Sequence, residues 1–182
     1  PQDSPFRQAI PISNPLGEDY SIMRTISLNG MLTSLATNYN RRNKDVRLYE
    51  LGNVYLPEEL PLKELPDERM KFTLGMYGKG DFFEMKGVCE EFFEKVGMKE
   101  KFTYDPNSGK PFLHPGRQAD IYYQGTVVGY LGEVHPAVAE TYGIGEKTYV
   151  AVIDIPTVLE YASFGHKYTG IAKYPAVTRD LS

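Results

Sequence analysis

Gln118-Ala119-Asp120-Ile121-Tyr122-Tyr123-Gln124-Gly125-Thr126-Val127-Val128-Gly129-Tyr130-Leu131 is the stretch that decides the fold. Two strand-like runs, Gln118 to Tyr123 and Thr126 to Leu131, flank the dipeptide Gln124-Gly125. A two-residue connection joins antiparallel neighbours, because a parallel crossover needs a dozen residues or more. Strand-like segments dominate the surrounding sequence. The reading is therefore an α+β domain: an antiparallel sheet with helices on one face, not a doubly wound parallel sheet.

Working toward the N-terminus, Met85, Val88, Cys89, Phe92, Phe93 and Val96 recur at helical spacing, and Gly97 marks the stop. Met70 to Tyr77 reads as a strand, and Pro57 to Pro66, rich in proline and charge, as a surface loop. Val46 to Leu56 reads as another strand. Val46, Leu48, Glu50 and Val54 share one face; Arg47, Tyr49, Leu51 and Tyr55 share the other. Bulky groups on both faces predict cover on both. Leu28, Met31, Leu32, Leu35, Ala36 and Tyr39 form the stripe of a second amphipathic helix, with Ser27 as its predicted N-cap and Arg41, Arg42 and Lys44 near its negative pole. Arg7 to Ser13 alternates and reads as a strand. Toward the C-terminus, Pro136 to Tyr142 and Pro156 to Tyr161 read as short helices, and Thr148 to Ile155 as the strand between them.

Composition bounds the function. The chain has 182 residues, 41% of them hydrophobic and 24% charged, which excludes disorder and low-complexity classes. At this size roughly 70% of the unfolded surface is buried on folding, so no staples are needed. The 20 Lys and Arg against 24 Asp and Glu give a net charge of −4, which argues against a chain that wraps nucleic acid by itself. The single cysteine, Cys89, excludes an internal disulfide framework and lies on an apolar stripe as a core residue. No stretch approaches the roughly 18 apolar residues that span a bilayer. The opening Pro1-Gln2-Asp3 lacks a methionine, which reads as processing or as a segment of something longer.

Familiar catalytic signatures are missing. Gly143-Ile144-Gly145-Glu146-Lys147-Thr148 fails as a phosphate loop, because the Glu146 carboxylate would repel phosphate. His114, His135 and His166 are scattered, and His114 and His135 precede proline, which favours extended conformations. No Gly-x-Ser-x-Gly elbow occurs.

Several strings in register carry a resemblance. They are Asn14-Pro15-Leu16-Gly17-Glu18-Asp19-Tyr20-Ser21-Ile22-Met23-Arg24-Thr25, then Val46-Arg47-Leu48-Tyr49-Glu50-Leu51-Gly52-Asn53-Val54-Tyr55. His114-Pro115-Gly116-Arg117 and Gly129-Tyr130-Leu131-Gly132-Glu133-Val134-His135-Pro136 follow, and Tyr174-Pro175-Ala176-Val177-Thr178-Arg179-Asp180-Leu181 ends the series. In this order the chain resembles the β subunits of bacterial phenylalanyl-tRNA synthetases over nearly its whole length. The resemblance implies a class II synthetase-like core over residues 1–173, flanked by helices. It implies that residues 174–182 open a truncated anticodon-binding domain, and that the chain is a piece of a longer cytoplasmic protein. Asn29 departs from the family, where a proline commonly follows the leucine.

The resemblance also implies loss of catalysis. Arg47 and Glu50 have the Arg-x-x-Glu look of class II motif 2, but period two sends them to opposite faces. At the motif 3 place, Tyr149 to Thr157 offers neither a Gly-x-Gly nor an arginine, and Asp154 and Pro156 stand there instead. No ATP, metal or other cofactor is expected in this domain; ATP and magnesium belong to the parent complex. The expected role is a scaffold for the catalytic α subunit and a second β subunit, with tRNA(Phe) held mainly by other domains and no membrane involved. Motif 1-like interface residues are expected at Arg24, Leu28, Met31, Leu32, Leu35, Asn38, Tyr39 and Arg41, though the stripe can equally pack on its own sheet. Arg47, Glu50, His114, Arg117, Gly132, His135 and Pro136 are expected as structural family positions, with Glu50 and Arg117 as an internal ion pair. Two other readings stay open. One is an autonomous enzyme using Asp120, Glu133 and His135; the other is a binding module built on the 14 tyrosines.

Overall fold

A computed structural model of the chain describes residues 4–165. The strands are β1 (Val46–Leu56), β2 (Asp67–Tyr77), β3 (Thr103–Asp105), β4 (Leu113–Tyr123), β5 (Thr126–Val134) and β6 (Thr148–Asp154). They form one sheet in the order β1-β2-β6-β5-β4-β3, with every neighbouring pair antiparallel. The β4–β5 hairpin closes at Tyr123 opposite Thr126. Gln124 and Gly125 have φ of 49° and 83°, the pair of positive values that a type I′ turn requires.

The helices are α1 (Leu28–Asn40), α2 (Phe82–Lys95), α3 (Pro136–Thr141) and α4 (Ile155–Tyr161). They cover both faces of the sheet, not one. The central strand β6 explains this, because it is buried from Thr148 to Ile153. Val150 joins a core with Leu28, Met31, Leu32 and Leu35 of α1 and Ala139 of α3. Its neighbours Tyr149, Ala151 and Ile153 point the other way, into a core with Met85, Cys89 and Phe93 of α2 and Val158 of α4. A strand that is apolar on both sides must be covered on both sides. Helix α1 lies close enough to β2 that a Cβ on Gly75 would stand 2.7 Å from Met31 Cγ and 2.9 Å from Leu35 Cδ1.

Local signals behave as follows. Asp81 caps α2 by accepting from the Glu84 N–H at 2.8 Å, and Gly97 stands just past the helix end with φ of 83°. Ser27 does stand at the N-cap position of α1 but makes no side-chain cap. Its hydroxyl instead accepts from Thr73 on β2 at 2.6 Å, because both groups are buried and only this pairing satisfies them. Arg7 to Ser13 forms a single bridge, Pro11 to Ile22, and no strand. The outer face of β1 is open where cover was expected: Tyr49 and Leu51 are 75% and 58% exposed, since β1 is the sheet edge and α2 lies over inner strands. His166 and residues 174–182 lie outside the described residues.

Candidate functional site

Helix α1 brings the predicted pairing residues together but turns most of them inward. Leu28, Met31, Leu32 and Leu35 are no more than 3% exposed, packed on this chain's own sheet. Any contact between α1 and another subunit must therefore use its opposite face, where Asn29, Gly30, Thr33, Ser34 and Thr37 are exposed. Asn38 and Tyr39 occupy the shoulder. The Asn38 amide donates to Ser34 O, and its carbonyl oxygen accepts from Asn43, both at 2.9 Å. The Tyr39 ring meets Tyr77 edge-on at 5.8 Å, and Arg41 is exposed beyond the helix end. Tyr39 and Pro136 share the lining of a cavity of about 510 Å³. The departure at Asn29 has a local use: its side-chain oxygen accepts from the Tyr142 hydroxyl at 3.2 Å, tying the start of α1 to the end of α3.

The Glu50–Arg117 pair is not formed. Glu50 lies on the α1 face of β1 and pairs with Arg24, whose Nε also donates to Asn53 O at 2.6 Å. Arg117 gives Nη1 to both carboxylate oxygens of Glu133, at 3.0 and 2.8 Å. Register decides the matter: Glu50 belongs to the β1 edge, whereas β4 lies three strands beyond β2.

Arg47 and Glu50 do face opposite sides. Arg47 stands between Asp45 and Glu84, with both contacts at 2.7 Å, and these carboxylates hold its guanidinium more firmly protonated than usual. Asp154 closes the strand-to-helix turn between β6 and α4. Its Oδ2 accepts from the Thr157 N–H at 3.3 Å and from the Thr157 hydroxyl, while Lys71 and Arg69 pair with it. Burial raises the Asp154 carboxyl, but Lys71, Thr157 and Arg69 outweigh it and hold it below the ordinary aspartate range.

The two His-Pro dipeptides differ in place: His114-Pro115 lies in β4, where its register with β5 is irregular, and His135-Pro136 opens α3. His114 Nδ1 accepts from the Gly116 N–H at 3.1 Å, and His135 Nδ1 accepts from the Ala137 N–H at 3.2 Å, capping α3 with Pro136 in its first turn. They lie at adjoining strand ends, because His135 N–H bonds Phe112 O at 2.9 Å. Gly132 lets β4 approach: a Cβ there would stand 2.8 Å from Arg117 O. Asp120, Glu133 and His135 do not meet. Asp120 pairs with Lys110 at 2.5 Å beside Tyr130, on the α1 side of the sheet. Glu133 sits one residue out of phase with Tyr130, on the α2 side opposite Tyr149. Alternation along β5 separates them.

Sequence reasoning missed the Arg24–Glu50–Asn53 cluster and the aromatic cavity beside Arg117. Both need tertiary proximity that no local spacing encodes. Among the described residues, no group of three or more metal-ligating side chains forms, and no helix is long and apolar enough to cross a membrane.

Comparisons with known proteins bear on this arrangement. The chain is 47% identical over 182 residues to the phenylalanine–tRNA ligase beta subunit of Clostridium acetobutylicum, covering 100% of this chain and 23% of that protein. It is 41% identical over 182 residues to the corresponding subunit of Clostridium tetani, again with 100% and 23% coverage. The chain thus spans about a quarter of the length of these relatives. Among solved structures, pyrrolysyl-tRNA synthetase from Desulfitobacterium hafniense superposes with a TM-score of 0.64 at 15% identity, over 87% of this chain and 55% of that one. That likeness identifies the fold as the class II synthetase type. The family model described as the phenylalanyl tRNA synthetase beta chain CLM domain matches residues 2–155. The chain, a class II-like α+β domain of a phenylalanine–tRNA ligase beta subunit, belongs to that family.

Proposed function

We propose that this domain is non-catalytic. In this reading it holds the catalytic α subunit in an assembly of two α and two β subunits, which charges tRNA(Phe) with phenylalanine using ATP and magnesium. The observation that carries the reading is the state of Arg47. A guanidinium that grips an α-phosphate must offer a free bidentate edge, and here Asp45 and Glu84 already occupy it. The turn between β6 and α4 points the same way. A carboxylate, Asp154, caps the helix where a triphosphate would need donors, and the cations near it are paired with it. These residues do not fit a nucleoside triphosphate, so no reaction step is placed on this chain. The tRNA is assigned mainly to other parts of the β subunit, which agrees with the net charge of −4.

Calorimetric titration tests the reading in two stages. ATP with magnesium should give no heat of binding, and the α subunit should then saturate the chain. Micromolar ATP binding would overturn the non-catalytic assignment, and failure to bind the α subunit would overturn the scaffold.

A further inference from the structure

A second cavity, of about 630 Å³, lies on the α2 side of the sheet, away from α1. It opens between the first turns of α2, the β3–β4 edge and the start of β6. Its walls are aromatic: Phe82 and Tyr104 are half-buried, and Tyr149 is buried. Phe83 stands at the mouth, 75% exposed and edge-on to Phe82 at 5.8 Å, an apolar ring that the core does not use.

Cations outnumber carboxylates along its lining. Lys86, Arg117 and Lys147 line it against one carboxylate, Asp81, whereas the whole chain carries −4. Asp81 is engaged in capping α2. Lys86 reaches Glu90 and lies 4.6 Å from the centre of the Tyr104 ring. Lys147 makes no ion pair among the described residues.

Arg117 is the built element. Glu133, 4% exposed, accepts from the single nitrogen Nη1 of Arg117 at both of its oxygens. The other edge, Nε and Nη2, has no hydrogen-bond partner among the described residues, and the side chain is 46% exposed. A buried carboxylate thus fixes the guanidinium while leaving free the edge that grips an oxyanion through two parallel bonds.

We propose that this cavity binds a small organic anion carrying a flat apolar ring. The oxyanion sits on the Nε and Nη2 edge of Arg117, with Lys86 and Lys147 adding attraction, and the ring packs among Phe82, Tyr104 and Tyr149. Cavities of this size suit compact ligands that combine apolar walls with a few placed polar groups. An α-amino acid is disfavoured, because its ammonium would compete with the oxyanion beside Lys147, a cation with no ion pair among the described residues. The site does not use the outward face of α1 on which the scaffold role rests, although Lys147 also lines the cavity beside Tyr39.

The test is an amide correlation NMR titration of the 182-residue chain. The probes are benzoate, phenyl phosphate, benzamide and phenylalanine. Benzoate or phenyl phosphate should shift the Gly116, Ala119 and Tyr149 amides saturably, and the tighter of the two identifies the headgroup. Benzamide and phenylalanine should bind at least about tenfold more weakly. Arg117→Gln combined with Glu133→Gln, which orphans no buried charge, should abolish the shifts. Phe83→Ser with Lys147→Ser, both at exposed positions, should weaken binding several-fold while leaving thermal unfolding unchanged. Absence of saturable shifts at these amides, an equal response to benzamide, or full binding by either folded double variant would overturn the site. None of these results alters the expected α-subunit binding.

Discussion

Arg117 and Glu133 are unequal partners, and their inequality is measurable. The carboxylate is buried and the guanidinium is half in water. Removing the cation strands a charge in the protein, while removing both charges strands nothing. Arg117→Ala should cost about 2 kcal/mol in urea unfolding, and adding Glu133→Gln should recover at least half of it. Equal costs for the single and double variants would mean that Glu133 is hydrated after all. Cys89 makes a second test at this scale. It has no exposed surface, and burial pushes its thiol up to about 12. A disulfide reagent at neutral pH should react at least roughly a hundredfold more slowly with the native chain than with the urea-unfolded chain. The burial of Cys89 was legible from its place on a helical stripe. The partner of Glu50 was not, because Arg24 lies 26 residues away and only the docking of α1 brings the two together.

At the scale of elements, periodicity served where an element has a face of its own. α1 and α2 announced themselves by apolar spacing, and Gly97 marked one stop. β3, three residues long, and the first half of β4 escaped, because from Leu113 to Gln118 the register with β5 is irregular and no alternating apolar pattern marks a strand there. Arg7 to Ser13 failed in the opposite sense: alternation without a partner gives one bridge. Asp154, singled out in the sequence only by its place, ties three elements together, capping α4 from the end of β6 and pairing with Lys71 and Arg69 on β2. Its carboxyl is depressed in the folded state, so its stabilisation is present above the unfolded aspartate pKa of about 3.9 and is lost as pH falls through the folded value. Asp154→Asn should therefore cost about 1–2 kcal/mol at neutral pH, and the gap from wild type should close below about pH 4. A gap that persists unchanged at pH 2 would show that the amide fails by shape and not by charge.

For the whole molecule, the decisive fact is that the sheet is covered twice. Once α1 has buried Leu28, Met31, Leu32 and Leu35 in the core, what it offers outward is small and uncharged: Asn29, Thr33, Ser34 and Thr37. The Thr33 and Thr37 hydroxyls bond back to carbonyls one turn earlier, at 3.0 and 2.9 Å, and so satisfy themselves within the helix. A surface of this kind permits close approach by another helix without burying an unpaired polar group. The scaffold reading therefore places the α-subunit contact on this outward face and its Tyr39 shoulder, not on the leucine stripe. Two variants separate core from contact. Leu35→Ala should cost about 2–5 kcal/mol of stability, as cavities in cores do. Thr33→Arg with Thr37→Arg should leave stability within about 0.5 kcal/mol, since both positions are exposed. The same pair should weaken α-subunit binding at least about tenfold in the calorimeter, because two long cations cannot fit a closely packed helix pair. Unchanged binding by the arginine variant, with its fold intact, would move the contact off α1 altogether.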